Sequence, residues 1–365
     1  MNICFFLGGF SGVGGIGRVT SILANELSKD SNINVFTLSF YESSSNEVYE
    51  LNKNIKKNYL YDQPITMKKA FLLLGFIKLR KYLLDNSIDI IIACGALYYP
   101  ITIVSTLNLN IKTICWEHSH VNNTKDHLFQ GFSRMIGAKC SDKILTITKN
   151  DKKEYISKYN IDNVNKIYNP IDPSLFKYTK SYNEKSKKII SVGRLSYQKN
   201  FKLLVEIAKE VLKNNSDWKW DIYGDGELRE EIQEKIISYN LQNKITLKGH
   251  IDNIYEIYSD YSILIMTSRY EGFPMTLLEG LANGLPLISF DVLTGPNEII
   301  KHNKNGFLVK PFDKNKMVEY INLLIEDEKK RIAFSKNARK SANNFKLSKI
   351  VHEWEQLLYN LLETD

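Results

Sequence analysis

The sequence predicts an α/β protein built from two doubly wound domains. Short apolar runs alternate with helix-length segments along the chain, the pattern of strand–helix–strand units with parallel sheets. The alternation restarts after a polar stretch rich in lysine and serine, from Tyr168 to Lys188, which reads as a linker. At 365 residues the chain is long enough to bury two cores. The domains expected are 1–172 and 173–345, followed by a C-terminal segment, 346–365.

Composition narrows the function classes. A hydrophobic content of 43% and a charged content of 25% belong to a soluble globular protein. The net charge of +8 suits an anionic substrate or membrane face without demanding either. No dense arginine cluster, zinc-finger spacing or aromatic RNP motif is present, so no nucleic-acid partner is expected. Cys4, Cys94, Cys115 and Cys140 form no C-x-x-C pair, which argues against a zinc site and a disulfide framework. A reducing cytoplasm is the simplest location. The N-terminus lacks a basic leader and a cleavage site, and no apolar run is long enough to span a bilayer.

In the first half the strand candidates are Ile3–Leu7, Ile33–Thr37, Ile88–Ala93, Ile111–Cys115 and Lys143–Thr148. The turn after the first contains Gly12-Val-Gly14-Gly15-Ile-Gly17 before a helix, a formal G-x-G-x-x-G. A dinucleotide site needs an acid at the end of the second strand, and none occurs before Glu42. The turn therefore reads as a flexible loop whose amides approach a ligand, with Arg18 close by. Met67–Leu84 is an apolar helix pattern carrying Lys68, Lys69, Lys78, Arg80 and Lys81. Such a helix can rest on an anionic membrane, although burial in the core is the favoured reading. Trp116-Glu117-His118-Ser-His120 follows a strand at the sheet edge where open α/β folds place ligands. His118 is the candidate there, with Glu117 beside it; His120 ranks lower, having no third partner for a metal site.

In the second half the strand candidates are Ile189–Gly193, Trp218–Tyr223, Ile245–Lys248, Ser262–Met266, Pro286–Ser289 and Gly306–Val309. Their carboxyl ends carry the informative residues. Arg194 and Lys199 lie on one loop, where a guanidinium fork and an ammonium can clamp a diphosphate. Gly224 and His250 end the second and third strands and could frame a flat base. Glu271-Gly272-Phe273-Pro274-Met275-Thr276 opens a helix that carries Glu279. Pro274 suits the first helical position, and the helix start favours a phosphate or sugar hydroxyl. Thr294-Gly295-Pro296 ends the fifth strand.

With those residues in order, the chain resembles the family 4 glycosyltransferases of the GT-B architecture, over nearly its whole length. Glu271 and Glu279, seven residues between them, match that family's E-x7-E motif, and Gly193-Arg194-Leu with Lys199 matches its cationic motif. The style is that of bacterial surface-polysaccharide enzymes. The resemblance implies two Rossmann-like domains facing a cleft, the first for acceptor and the second for nucleotide sugar, with the last helix crossing back onto the first. It implies retaining transfer of a hexose or N-acetylhexosamine from a nucleotide sugar, UDP-linked by the style of the match, to a glycan or lipid-linked acceptor. Glu271 would face the donor sugar, Glu279 bind the ribose, and Arg194 and Lys199 stabilise the diphosphate. The amides of Gly272 to Thr276 would touch sugar or phosphate, His118 would lie near the reacting centre, and Gly14 and Gly15 would approach phosphate and acceptor. No Asp-x-Asp occurs, so catalysis is expected without a metal or other cofactor. The alternative is a non-catalytic, glycan-binding partner of the same fold. The expected location is the cytoplasm, including the inner face of the plasma membrane.

Overall fold

The computed structural model describes residues 1–10, 14–41, 49–63, 65–66, 74–121 and 128–363. The chain divides into two units, Met1–Pro170 with Leu347–Asp365, and Ile171–Lys346.

The first unit holds seven strands, β1 (Asn2–Leu7), β2 (Asn34–Ser39), β3 (Lys56–Tyr59), β4 (Ile90–Cys94), β5 (Lys112–Trp116), β6 (Lys143–Thr146) and β7 (Val164–Lys166). They pair in the order β3-β2-β1-β4-β5-β6-β7, all parallel. Ile3 of β1 lies opposite Val35 on one side and Ile90 on the other. Both faces of these central strands are covered, which is why they read as continuous apolar runs. The five strands expected here are present. The two additional ones are edges: β3 is Lys-Lys-Asn-Tyr and exposed throughout, and β7 has only three residues. An edge strand buries little, and lysines on it discourage pairing with another chain, so it leaves no apolar signature.

Helices Gly75–Asp85, Tyr99–Thr106 and Leu128–Cys140 are successive neighbours in one layer. The first of these covers the described part of the Met67–Leu84 pattern; residues 67–73, with Lys68 and Lys69, lie outside the described residues, as do Gly12 and Glu42. It buries Leu79 and Leu83. Arg80 is committed to the carbonyls of Ser105 (3.3 Å) and Leu107 (2.7 Å), and Lys78 lies 4.6 Å over the Tyr61 ring. The C-terminal helix, Leu347–Glu363, packs beside helix Gly15–Leu27. Its Trp354 is fully buried, 4.9 Å from Trp116 and 6.0 Å from Phe5 between ring centroids.

The second unit holds β8 (Lys188–Val192), β9 (Lys219–Tyr223), β10 (Ile245–Gly249), β11 (Ile263–Met266), β12 (Leu287–Phe290) and β13 (Gly306–Val309). Their order is β10-β9-β8-β11-β12-β13, again wholly parallel. Helix Phe201–Asn214 buries Leu204, Val205, Ala208 and Val211 at helical spacing against this sheet. Helix Met275–Ala282 approaches the sheet so closely that a Cβ on Gly280 would lie 2.7 Å from Leu264 and 2.9 Å from Leu287.

Candidate active site

In the second unit β8 and β11 are neighbours, yet their connections leave in opposite directions along the sheet. The carboxyl edge at such a switch point is where doubly wound sheets hold ligands. Two loops meet there, 193–200 after β8 and 267–274 after β11. They are cross-braced. The Arg269 amide donates to the Gln198 carbonyl (2.8 Å), Gln198 Nε2 donates to the Tyr270 carbonyl (3.0 Å), and Thr267 Oγ1 donates to the Lys199 carbonyl (3.1 Å). Arg269 Nη2 also donates to Asn200 Oδ1 (2.9 Å).

The bracing brings Lys199 and Glu271 together. Lys199 Nζ lies 2.6 Å from Glu271 Oε1, with the side chains 17% and 7% exposed. A charged pair this enclosed is weakly screened, so its field on anything placed beside it is strong. Arg194, on the same loop as Lys199, is exposed and reaches Glu227 at 3.2 Å. It is therefore free to swing, whereas Lys199 is held.

The Glu271 loop leads into helix Met275–Ala282, and Pro274 is its N-cap, at φ −72° and ψ 107°, one position earlier than first-turn placement. Its carbonyl accepts from the Leu277 amide. Phe273 and Pro274 are buried, and Thr294 Oγ1 donates to the Gly272 carbonyl at 3.2 Å. Gly295, at φ +97°, could not carry a Cβ, which would lie 2.6 Å from that same carbonyl. Glu279 is buried in the helix, and the Tyr258 hydroxyl donates to its Oε2 at 2.5 Å. Tyr258 carries no sequence signal for this role.

Gly224 has φ +124°, and a Cβ on it would meet the Gly193 carbonyl. Its bareness thus lets two turns of the same sheet edge pack. His250 sits at the end of the edge strand β10, exposed, with Asp252 at 3.7 Å. It stands two strands away from the Lys199–Glu271 pair.

The first unit has its own candidate residues. Nothing lies within 4 Å of a Cβ built on Gly14 or Gly15, so these positions open onto free space. His118 follows β5, its ring 4.1 Å from that of Trp116. The residue is half-buried, and its Nε2 is enclosed with no hydrogen-bond partner among the described residues. The carboxylate of Glu117, its neighbour in sequence, is committed to other partners. It accepts from Arg134 Nε (2.7 Å), Tyr155 Oη (2.7 Å) and both the amide and the hydroxyl of Ser119. Burial opposes the charge on Glu117, yet Arg134 and these donors hold its carboxyl below the ordinary range. The network fixes the 117–119 turn that presents His118. His120 faces Asp151 at 3.9 Å.

Burial pushes the His118 pKa from its ordinary 6.5 down to about 4, against the pull of Glu117. The ring is neutral at pH 7. Between pH 6.5 and 4 the unfolded chain binds a proton that the native one refuses, so His118 lowers stability as the pH falls through that window. His118→Gln should flatten this slope. Urea midpoints at pH 7.5 and pH 5 measure it; identical pH dependence in both proteins would remove the argument.

Two wholly parallel, doubly wound units are the architecture of the GT-B class of glycosyltransferase folds, which solved structures of that class share. The chain belongs to the family 4 glycosyltransferases. The family models described as "Glycosyltransferase Family 4" and "Glycosyl transferases group 1" match residues 13–175 and 176–341. The amylovoran biosynthesis glycosyltransferase AmsD of Erwinia amylovora is 30% identical, over 98% of this chain and 99% of its own. A Campylobacter jejuni N-acetyl-D-galactosaminyltransferase, named for a glycan on diphosphate-undecaprenol, is 27% identical over 98% of both chains. Among solved structures, HepE of Anabaena in complex with UDP and glucose superposes with a TM-score of 0.83 at 17% identity, covering 98% of this chain and 99% of its own.

Proposed function

We propose that the chain moves a hexosyl or N-acetylhexosaminyl group from a UDP-sugar to a glycan or lipid-linked acceptor, with retention, in surface-polysaccharide biosynthesis. The observation that carries this is the braced Lys199–Glu271 pair at the β8/β11 switch point, with Arg194 on the same loop. AmsD, the Campylobacter enzyme and UDP-bound HepE support the choice of reaction and donor. The bond between the anomeric carbon and the β-phosphate oxygen breaks, a bond from that carbon to the acceptor oxygen replaces it, and the acceptor hydroxyl's proton passes to the departing diphosphate. Negative charge grows on the departing diphosphate. Lys199 and Arg194 stabilise it, in the role a metal plays elsewhere, and the amides opening helix Met275–Ala282 add to this. Glu271 faces the sugar as positive charge grows on its ring. Glu279, oriented by Tyr258, takes the ribose hydroxyls. In the first unit, the family resemblance gives His118 the role of a neutral hydrogen-bonding group toward the substrates, and Gly14 and Gly15 open space for phosphate and acceptor.

A lipid-linked acceptor calls for a membrane-facing surface. The helix layer of the first unit exposes Ile77, Leu84, Val104, Phe132 and Met135, with Lys78 and Lys81 alongside. Apolar groups rimmed by lysine suit peripheral contact with anionic lipid. Among the described residues no helix is long and apolar enough to cross a membrane.

Thermal-shift titration with UDP, GDP and NAD tests the donor. UDP at a hundred times its Kd should stabilise the protein by about 2.7 kcal/mol, and NAD by nothing. A response to GDP alone would replace the donor assignment. No response to any of the three would favour the non-catalytic partner.

A further inference from the structure

The second unit has another concavity, outside the residues given to the donor. It lies past the carboxyl ends of β12 and β13, has a volume of about 320 Å³, and is lined by Arg269, Asp291, Val292, Leu293, Asn297 and Pro311. That volume is at the lower end of small-molecule sites, enough for one sugar ring. The pocket adjoins the candidate active site, since Arg269 lies two residues before Glu271 and the loop containing Leu293 contributes Thr294 to Gly272.

Two aromatic rings outside its lining lie near one of its walls: the Arg269 guanidinium is 4.4 Å from the Tyr197 centroid and 5.6 Å from that of Phe312, the residue after Pro311. Arg269 Nε is enclosed and has no hydrogen-bond partner among the described residues. Tyr197 and Phe312 are 60% and 49% exposed, so each ring keeps a face toward solvent. Phe312 is the unusual residue. It holds φ +66°, a conformation that five asparagines also adopt among the described residues but that a bulky side chain disfavours. Its ring leans on the buried Phe290, 5.8 Å away. Strain retained to display an aromatic at the rim of a pocket points to a use for that ring.

We propose that this pocket is a carbohydrate subsite holding a neutral sugar residue of the acceptor glycan. The C–H face of a pyranose packs on Phe312 and Tyr197. Asp291 accepts from its hydroxyls, and Asn297 both accepts from and donates to them. The carboxylate of Asp291 in the lining disfavours a phosphate or other anion there. The identity of the ligand as acceptor rests on the transferase reading above; the pocket itself does not.

The test is saturation-transfer NMR on the full chain saturated with UDP, using the methyl α-glycosides of glucose, galactose and N-acetylglucosamine as probes. At least one should receive magnetisation. Phe312→Asn, a residue suited to φ +66°, and Asn297→Ala, at an exposed position, should each weaken that binding by about five- to tenfold. Both variants should leave the UDP affinity unchanged. A glycoside signal that appears without UDP and vanishes at UDP saturation would give the pocket to the donor and overturn the proposal, as would silence from all three probes under both conditions or wild-type binding in both variants. If UDP itself fails to bind, the donor assignment falls while glycoside binding still decides the pocket.

Discussion

Lys199→Ala should lower kcat/KM for the UDP-sugar by about a thousandfold, the scale on which a preorganised donor to a developing oxyanion acts. The ammonium is held in place before the reaction by Glu271 and by the loop bracing at Thr267, Gln198 and Arg269. Little reorganisation is then needed as charge grows on the diphosphate. The same substitution should cost stability, because it strands a carboxylate that is only 7% exposed. Leaving such a group without its partner costs about 1–3 kcal/mol. Lys199→Met combined with Glu271→Gln separates the two effects. The double variant should recover most of the lost stability while remaining inactive. Steady-state kinetics with the UDP-sugar and a melting curve read both. Unchanged turnover in Lys199→Ala would sink the assigned roles.

Arg134→Ala should produce the largest loss of stability in the first unit, about 3–5 kcal/mol. Arg134 and Glu117 are 1% and 2% exposed and 2.7 Å apart. Removing the guanidinium leaves an anion whose remaining hydrogen-bond donors among the described residues are Tyr155 and Ser119. Replacing the pair by Met and Gln together should cost much less, since no charge is then left buried. The pH dependence has a definite sign. The Glu117 carboxyl is held below its ordinary range, so the pair's contribution is present above the unfolded carboxyl pKa and is lost as the pH falls through the folded one. Urea titrations of both variants provide the measurement. A loss under about 1 kcal/mol for Arg134→Ala, the range of a solvent-screened pair, would show that the network is not closed to water.

Much of this was legible in the residue string. The central strands β1, β4, β8 and β11 announce themselves because a parallel strand buried on both faces is apolar at most of its positions, not at alternate ones. Arg194, Lys199, Glu271 and Glu279 could be picked out because each sits just after, or within a few turns of, a readable strand end, and their spacing carries the family resemblance. The edge strands β3 and β7 stayed silent because they bury little. Pro274 was displaced by one position because the cap depends on its backbone angles, not on its identity.

What the string by itself determined was which segments must be buried, since that preference is a property of each side chain alone. Only the folded chain decided which polar groups meet. Glu117 and Arg134 are 17 residues apart, Glu117 and Tyr155 38, Tyr258 and Glu279 21. A carboxylate finds its partner through space, at angstrom range and after the sheets have set the distances, so Glu117 bonds to residues far along the chain and acts on its neighbour His118 through the turn it fixes.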